Sequence, residues 1–208
     1  DRPITMRHDF PGDHMTHIGV VHGRFQIFHF DHLAYTLTAR SKCEHLIVGI
    51  TNPDPTLTRA DPADPHRSSP EANPVTYFER YSIIRAVLFD AGLKGTEFSI
   101  VPFPINFPEL FRFYVPLDAT FYLTIYDDWG RRKQGPFESL GLKVEVLWVR
   151  SLEEKRMSAT SIRDLIFEGK PWEHLAPPAT SSLMKTMGIV DRLRNLHSNA
   201  RMDDYEQS

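Results

Sequence analysis

Five short apolar runs punctuate the chain, at residues 17–21 (HIGVV), 45–51 (HLIVGIT), 98–103 (FSIVPF), 119–126 (ATFYLTIY) and 144–149 (VEVLWV). Several are continuously apolar instead of alternating, as strands of a parallel sheet covered on both faces read. Between them fall stretches of helical character at 31–43, from Asn73 to Gly92, and at 158–169 and 181–196. In the second of these, Asn73 is the expected N-cap and Pro74 the first helical position, with Gly92 as the stop. Val75, Phe78, Ile83, Ile84, Val87 and Leu88 are placed on its apolar side. Residues 108–115 read as a short helix or turn and 127–141 as a polar helix. The stretch 52–74, dense in Pro, Asp and Ser, reads as a long loop. Strands alternating with helices predict an α/β protein: a Rossmann-like doubly wound sheet of about five parallel strands, with helices on both faces.

Residues 1–14 show no periodicity and are expected to be a disordered leader or an expression remnant. The globular domain is placed at 15–197, and 198–208 as a polar tail. At 208 residues and 41% apolar the chain buries a core without staples, and its single cysteine, Cys43, excludes a disulfide framework and a cysteine-rich zinc module. The net charge of −3 gives no general basic field for nucleic acid, so any bound anion needs a local cluster. No apolar run approaches the roughly 20 residues of a membrane span. These features predict a cytoplasmic protein without nucleic-acid or membrane partners; homo-oligomerisation stays open.

In an open parallel sheet, ligands bind beyond the carboxyl ends of the strands, where helix N-termini also point. The first run leads there into Gly23-Arg24-Phe25-Gln26-Ile27-Phe28-His29-Phe30-Asp31-His32. Gly23 permits a close turn and Arg24 can fork two bonds to a phosphate. His29 and His32, three apart, share one side of an opening helical turn. Together they suit a polyphosphate, although H-x-x-H alone is unremarkable in a chain with ten histidines. Zinc lacks third and fourth ligands at the usual spacing. After the last run, Ser158, Thr160 and Arg163 form S-x-T-x-x-R, an ordinary helix start by itself that also presents hydroxyls and a cation to an anion.

In this order the motifs resemble those of the HxGH-type nucleotidylyltransferases, most of all the archaeal-type nicotinamide mononucleotide adenylyltransferases. GRFQIFHFDH, NPVTYFER and SATSIR carry the resemblance, which spans about residues 15–196. It implies transfer of a nucleoside monophosphate from ATP or CTP to a small phosphate- or phosphonate-bearing acceptor. Pyrophosphate leaves, and Mg²⁺ is the implied cofactor, carried by the phosphates. His29 and His32 would then hold the α- to γ-phosphates, with His32 nearest the reacting phosphorus. Arg24 would meet the triphosphate or the acceptor, Ser158, Thr160 and Arg163 the β/γ end, and Gly23 and Phe25 the nucleotide.

Asp31 stands where the family has glycine: either it turns away as an N-cap or Mg²⁺ anchor, or the site is altered, and Asp31 and Phe111 are both candidate acceptor contacts. Phe111 stands where the nicotinamide branch stacks a tryptophan. Arg131 is a further candidate for the acceptor, and with Arg132 and Lys133 also reads as a solvated helix face. Three functions follow: an adenylyltransferase, a CTP-dependent cytidylyltransferase acting on a phosphonate or phosphocholine-like acceptor, and a non-catalytic nucleotide sensor.

Overall fold

The computed structural model describes residues 17–58, 72–125, 137–149 and 158–196. The leader, the tail, Arg131 and its basic neighbours, and most of the polar stretch 127–141 lie outside these residues. Five strands, β1 (Ile18–Gly23), β2 (His45–Ile50), β3 (Phe98–Pro102), β4 (Thr120–Ile125) and β5 (Lys143–Val149), form one sheet in the order β3-β2-β1-β4-β5. Every pairing is parallel. The helices are α1 (Phe30–Arg40), α2 (Tyr77–Asp90), α3 (Ala159–Phe167) and α4 (Pro178–Thr186), with a further helical segment over 189–196. No helix among the described residues is long and apolar enough to cross a membrane.

The continuous apolar runs are explained by cores on both faces of the sheet. Val21, Leu46, Val48, Ile50 and Tyr122 enter one core, shared with Tyr35 of α1, Ile84 of α2, Ile162 of α3 and Met184 of α4. Val20, Ile47 and Phe121 enter the other, closed by Phe103, Phe111, Val115 and Phe137. Phe111 comes from a 3-10 segment at Pro108–Phe113, Phe137 from a helical turn at 137–139. Burying each large apolar side chain contributes about 1.5–3 kcal/mol. Gly49 is required where the faces crowd, because a Cβ there would meet Phe103 Cβ at 2.8 Å.

Three boundaries differ from the expectation. The N-cap of α2 is Thr76, not Asn73. Its hydroxyl accepts from the Glu79 N–H at 3.3 Å, and the Glu79 carboxylate accepts from the Thr76 N–H at 2.9 Å. This reciprocal capping box satisfies two helix-end donors at once. Ile83, Ile84, Val87 and Leu88 lie inside, whereas Phe78, half a turn around the helix from Val87, is 68% exposed, and Val75 is buried ahead of the helix. The last helix starts earlier, at Pro178, and breaks at Gly188, whose φ of +68° takes the chain out of helical geometry. Trp172, ahead of that helix, is buried in the first core.

The strand order changes direction between β1 and β4. Their carboxyl ends open a crevice there, the place where such sheets bind ligands. Beside it, the β4–β5 register slips by one residue between Leu123 and Thr124. Such irregularities re-aim a strand end.

Candidate active site

A cleft of about 270 Å³ sits at this crevice. The end of β1 and the following loop supply His22, Gly23, Arg24, Phe25, Gln26 and His29. The first turns of α1 add Asp31, His32 and Tyr35, β4 adds Thr124, and the start of α3 adds Ser158, Ala159 and Thr160. The two sequence motifs, more than 120 residues apart in the chain, therefore face one another across one cavity.

The loop between β1 and α1 is held tightly. Phe25 is buried and takes φ +52°, a left-handed conformation that swings the chain across the end of β1. The Gln26 side chain is buried and grips the backbone of Val75: its amide donates to the carbonyl at 3.0 Å and its oxygen accepts from the N–H at 2.9 Å. His29 is the N-cap of α1, and its N–H donates to Nδ1 of His32 at 3.4 Å. The imidazoles stack with centroids 3.7 Å apart, and Phe25 meets the His32 ring edge-on at 5.0 Å. Both rings are thus oriented by packing at the positive end of a helix.

Ser158 caps α3, its hydroxyl accepting from the Ser161 N–H at 3.0 Å. Arg163 is buried, and its guanidinium donates to the Gln26 carbonyl and, at 3.3 Å, to the Thr160 hydroxyl. Arg163 thereby ties the start of α3 to the loop after β1, and it is absent from the side chains lining the cleft. Burial holds its guanidinium below the usual arginine range. Asp31 occupies the second position of α1, so it is not the N-cap. Phe111 is 2% exposed and packs on Phe103 with centroids 4.5 Å apart, inside the second core and away from the cleft.

Sequence reasoning passed over four contributors. His22 extends from the end of β1 toward the second core, stacked on Phe137 at 5.3 Å with planes 2° apart. Tyr35 donates its hydroxyl to the Tyr122 carbonyl at 2.6 Å. Thr124 ends β4. Arg80, 2% exposed, donates to the carbonyls of Arg24, Thr51 and Asn52 at 2.7–2.8 Å and to that of Thr76 at 3.2 Å. Burial, with Arg24 close by, pushes its guanidinium down to about 10, so it stays charged at neutral pH. The available signals were positional: His22 and Thr124 at strand ends, Tyr35 one turn after Asp31, and Arg80 within NPVTYFER.

Solved structures that share the fold include two adenylyltransferases. A bifunctional NMN adenylyltransferase/ADP ribose pyrophosphatase from Francisella tularensis superposes with a TM-score of 0.62 at 17% identity. That match takes in 93% of this chain and 56% of the larger protein. A putative nicotinate-nucleotide adenylyltransferase from Vibrio parahaemolyticus gives 0.54 at 16% identity, over 85% of this chain and 94% of that one. No protein-family model matches the chain.

Curated relatives go further than the fold, and on them the chain belongs to the nucleotidylyltransferases. It is an enzyme that moves a nucleoside monophosphate from a triphosphate to a small phosphate- or phosphonate-bearing acceptor, releasing pyrophosphate. One relative, the phosphonoformate cytidylyltransferase of Streptomyces viridochromogenes, is 47% identical over 176 residues, covering 85% of this chain and 95% of that one. The nicotinamide-nucleotide adenylyltransferase of Pyrococcus abyssi is 29% identical over 189 residues, covering 90% and 93%.

Proposed function

We propose that this enzyme is a cytidylyltransferase, joining CMP from CTP to a small phosphonate acceptor of the phosphonoformate type. The observation that carries the reading is the 47% identity to a phosphonoformate cytidylyltransferase across 95% of its length, against 29% to the Pyrococcus abyssi adenylyltransferase. The position of Phe111 in the core supports it, because no ring from that position reaches the cleft to stack a pyridine.

In this reading an acceptor phosphonate oxygen attacks the α-phosphorus of CTP in line. The new P–O bond forms as the bond to pyrophosphate breaks, and the electron pair leaves with pyrophosphate. An ionised acceptor needs no general base. The protein's work is to position two polyanions and to stabilise charge on the α-phosphoryl and leaving groups.

His29 and His32 meet the α- to γ-phosphates, offering ring N–H groups to the phosphate oxygens. Ser158 and Thr160 offer hydroxyls, and the start of α3 its positive end, to the β/γ phosphates. Gly23 and Phe25 border the nucleotide. Arg24 receives the acceptor's anionic group, and Arg163 sets the spacing between the two anion seats. Phe111 then acts only through packing, and Arg131 remains a candidate acceptor contact. The signature GRFQIFHFDH is read as a variant of the HxGH motif.

Mg²⁺ is the expected cofactor. Among the described residues there is no group of three or more His, Cys, Asp or Glu able to hold a metal. That donor set fits an ion carried mainly by substrate phosphates, as Mg²⁺ commonly is. When bound, it neutralises part of the triphosphate's charge.

The test is pyrophosphate release from each of ATP, CTP, GTP and UTP with Mg²⁺, against phosphonoformate, other simple phosphonates, phosphocholine and nicotinamide mononucleotide. CTP with a phosphonate is the expected productive pair. ATP with the mononucleotide would overturn the reading in favour of an adenylyltransferase. Nucleotide binding without pyrophosphate release from any pair would point to a sensor.

A further inference from the structure

Asp31 lines the cleft, and the family signature does not explain it. It sits at the second position of α1, four residues before Tyr35. Residues four apart on a helix lie one above the other. Tyr35 bonds the Tyr122 carbonyl on β4 and meets Trp148 of β5 edge-on. The face of α1 that carries Asp31 therefore looks toward the β4–β5 half of the cleft, where β4 ends at Thr124. Among the described residues, no hydrogen bond or ion pair engages the Asp31 carboxylate.

Resting on the cytidylyltransferase reading, we infer that Asp31 determines base specificity by accepting a hydrogen bond from the 4-amino group of cytosine. CTP and UTP differ at two adjacent ring positions. Cytosine carries an amine donor at position 4 and an acceptor nitrogen at position 3; uracil carries a carbonyl acceptor and an N–H. Separating them requires a group whose polarity cannot reverse. The Thr124 hydroxyl both donates and accepts, and those of Ser158 and Thr160 face the β/γ phosphates. The Gln26 amide is committed to Val75 on both its atoms. A carboxylate only accepts, which matches the cytosine amine and opposes the lone pairs of the uracil carbonyl. Among the described side chains lining the cleft, Asp31 is the one with fixed acceptor polarity and unspent lone pairs. A metal-anchoring role has less support, because among the described residues no second carboxylate lines the cleft.

The experiment compares kcat/KM for CTP, UTP and 2-pyrimidinone ribonucleoside triphosphate, which lacks the 4-amino group, with phosphonoformate and Mg²⁺. Wild type, Asp31→Asn and Asp31→Ala are used, with nucleotide affinities also measured by calorimetry. A site built around a donor on its ligand rejects an analogue lacking it by orders of magnitude. Wild type should therefore favour CTP over both others by about 100-fold or more, visible in binding as well as turnover. Asp31→Asn, able to donate to uracil, should reduce the CTP:UTP preference at least about tenfold. Asp31→Ala should treat CTP and the pyrimidinone alike.

Equal slowing of all three nucleotides in both variants, as a ribose contact or metal ligand would give, overturns the inference. So does a wild type that accepts the pyrimidinone as readily as CTP, a result independent of how the variants fold. An enzyme that uses CTP with its preference unmoved by Asp31→Asn sinks this inference alone. An enzyme that does not use CTP sinks the cytidylyltransferase reading with it.

Discussion

His29 and His32 are neighbours in space but are held differently. His29 is 3% exposed and serves as the helix cap, so its ring belongs to the architecture as much as to the ligand. His32 is partly open to the cleft and set between the rings of His29, Phe25 and Phe28. Replacing His32 by Ala should lower the rate of pyrophosphate release by about 100-fold or more while changing nucleotide affinity only modestly, because its contact strengthens as charge moves in the transition state. Steady-state turnover beside calorimetric binding checks this, and near-wild-type turnover would remove His32 from the assigned role. The three-residue spacing made the pair legible in the sequence. The use of Arg163 was less legible: its type and position suggest an anion ligand, whereas two of its donors face a carbonyl and a hydroxyl of the protein itself.

Among the elements, α2 shows how a helix start is chosen. Asn73-Pro74 and Thr76-x-x-Glu79 are both start signals, and the second prevails because Glu79 is anchored from elsewhere. Arg192, 113 residues away, donates to both carboxylate oxygens at 2.8 and 2.6 Å. Burial would raise the Glu79 carboxyl; the bonds from Arg192 and Thr76 outweigh it and hold it below the usual carboxylate range. A depressed carboxylate contributes stability above its unfolded value, near 4.3. That contribution is lost as pH falls from there through the folded value. Glu79→Gln should therefore flatten the decline in thermal midpoint below about pH 4.5, where Glu79 begins to protonate in the unfolded chain. An unchanged acid slope in a melting series would refute the linkage.

Gly188 shows the opposite case, an element boundary written in one residue. A Cβ there meets nothing within 4 Å, so only the φ of +68° opposes it. Gly188→Ala should cost about 1 kcal/mol, or roughly 2–4 °C in the melting midpoint of a chain this size. A midpoint equal to or above wild type would mean that the helices can run on through this position.

At the scale of the whole molecule, the cleft joins segments that meet nowhere in the sequence, so occupying it should stabilise all of them together. Nucleotide with Mg²⁺ at about 100 times its dissociation constant should add about 2.7 kcal/mol and raise the melting midpoint. The rise should be much smaller in a His29→Ala/His32→Ala double variant under the same conditions. Equal shifts in the two proteins would place the nucleotide elsewhere.

Local chemistry was readable without a structure because its causes are local. Apolar runs need burial on both faces, an H-x-x-H pair needs only helical spacing, and S-x-T-x-x-R caps its own helix. Decisions made by distant atoms were not readable. The N-cap of α2 falls at Thr76 because Arg192 anchors Glu79. Arg80 is buried because four carbonyls at the ends of β1 and β2 and the start of α2 accept from it. Asp31 acquires a place in the cleft because Tyr35 turns that face of α1 toward β4. Period, capping and motif chemistry are properties of neighbouring residues, and the sequence by itself determined them. The partners of buried polar groups depend on which strand ends the β3-β2-β1-β4-β5 order brings together, and only the tertiary structure decided those.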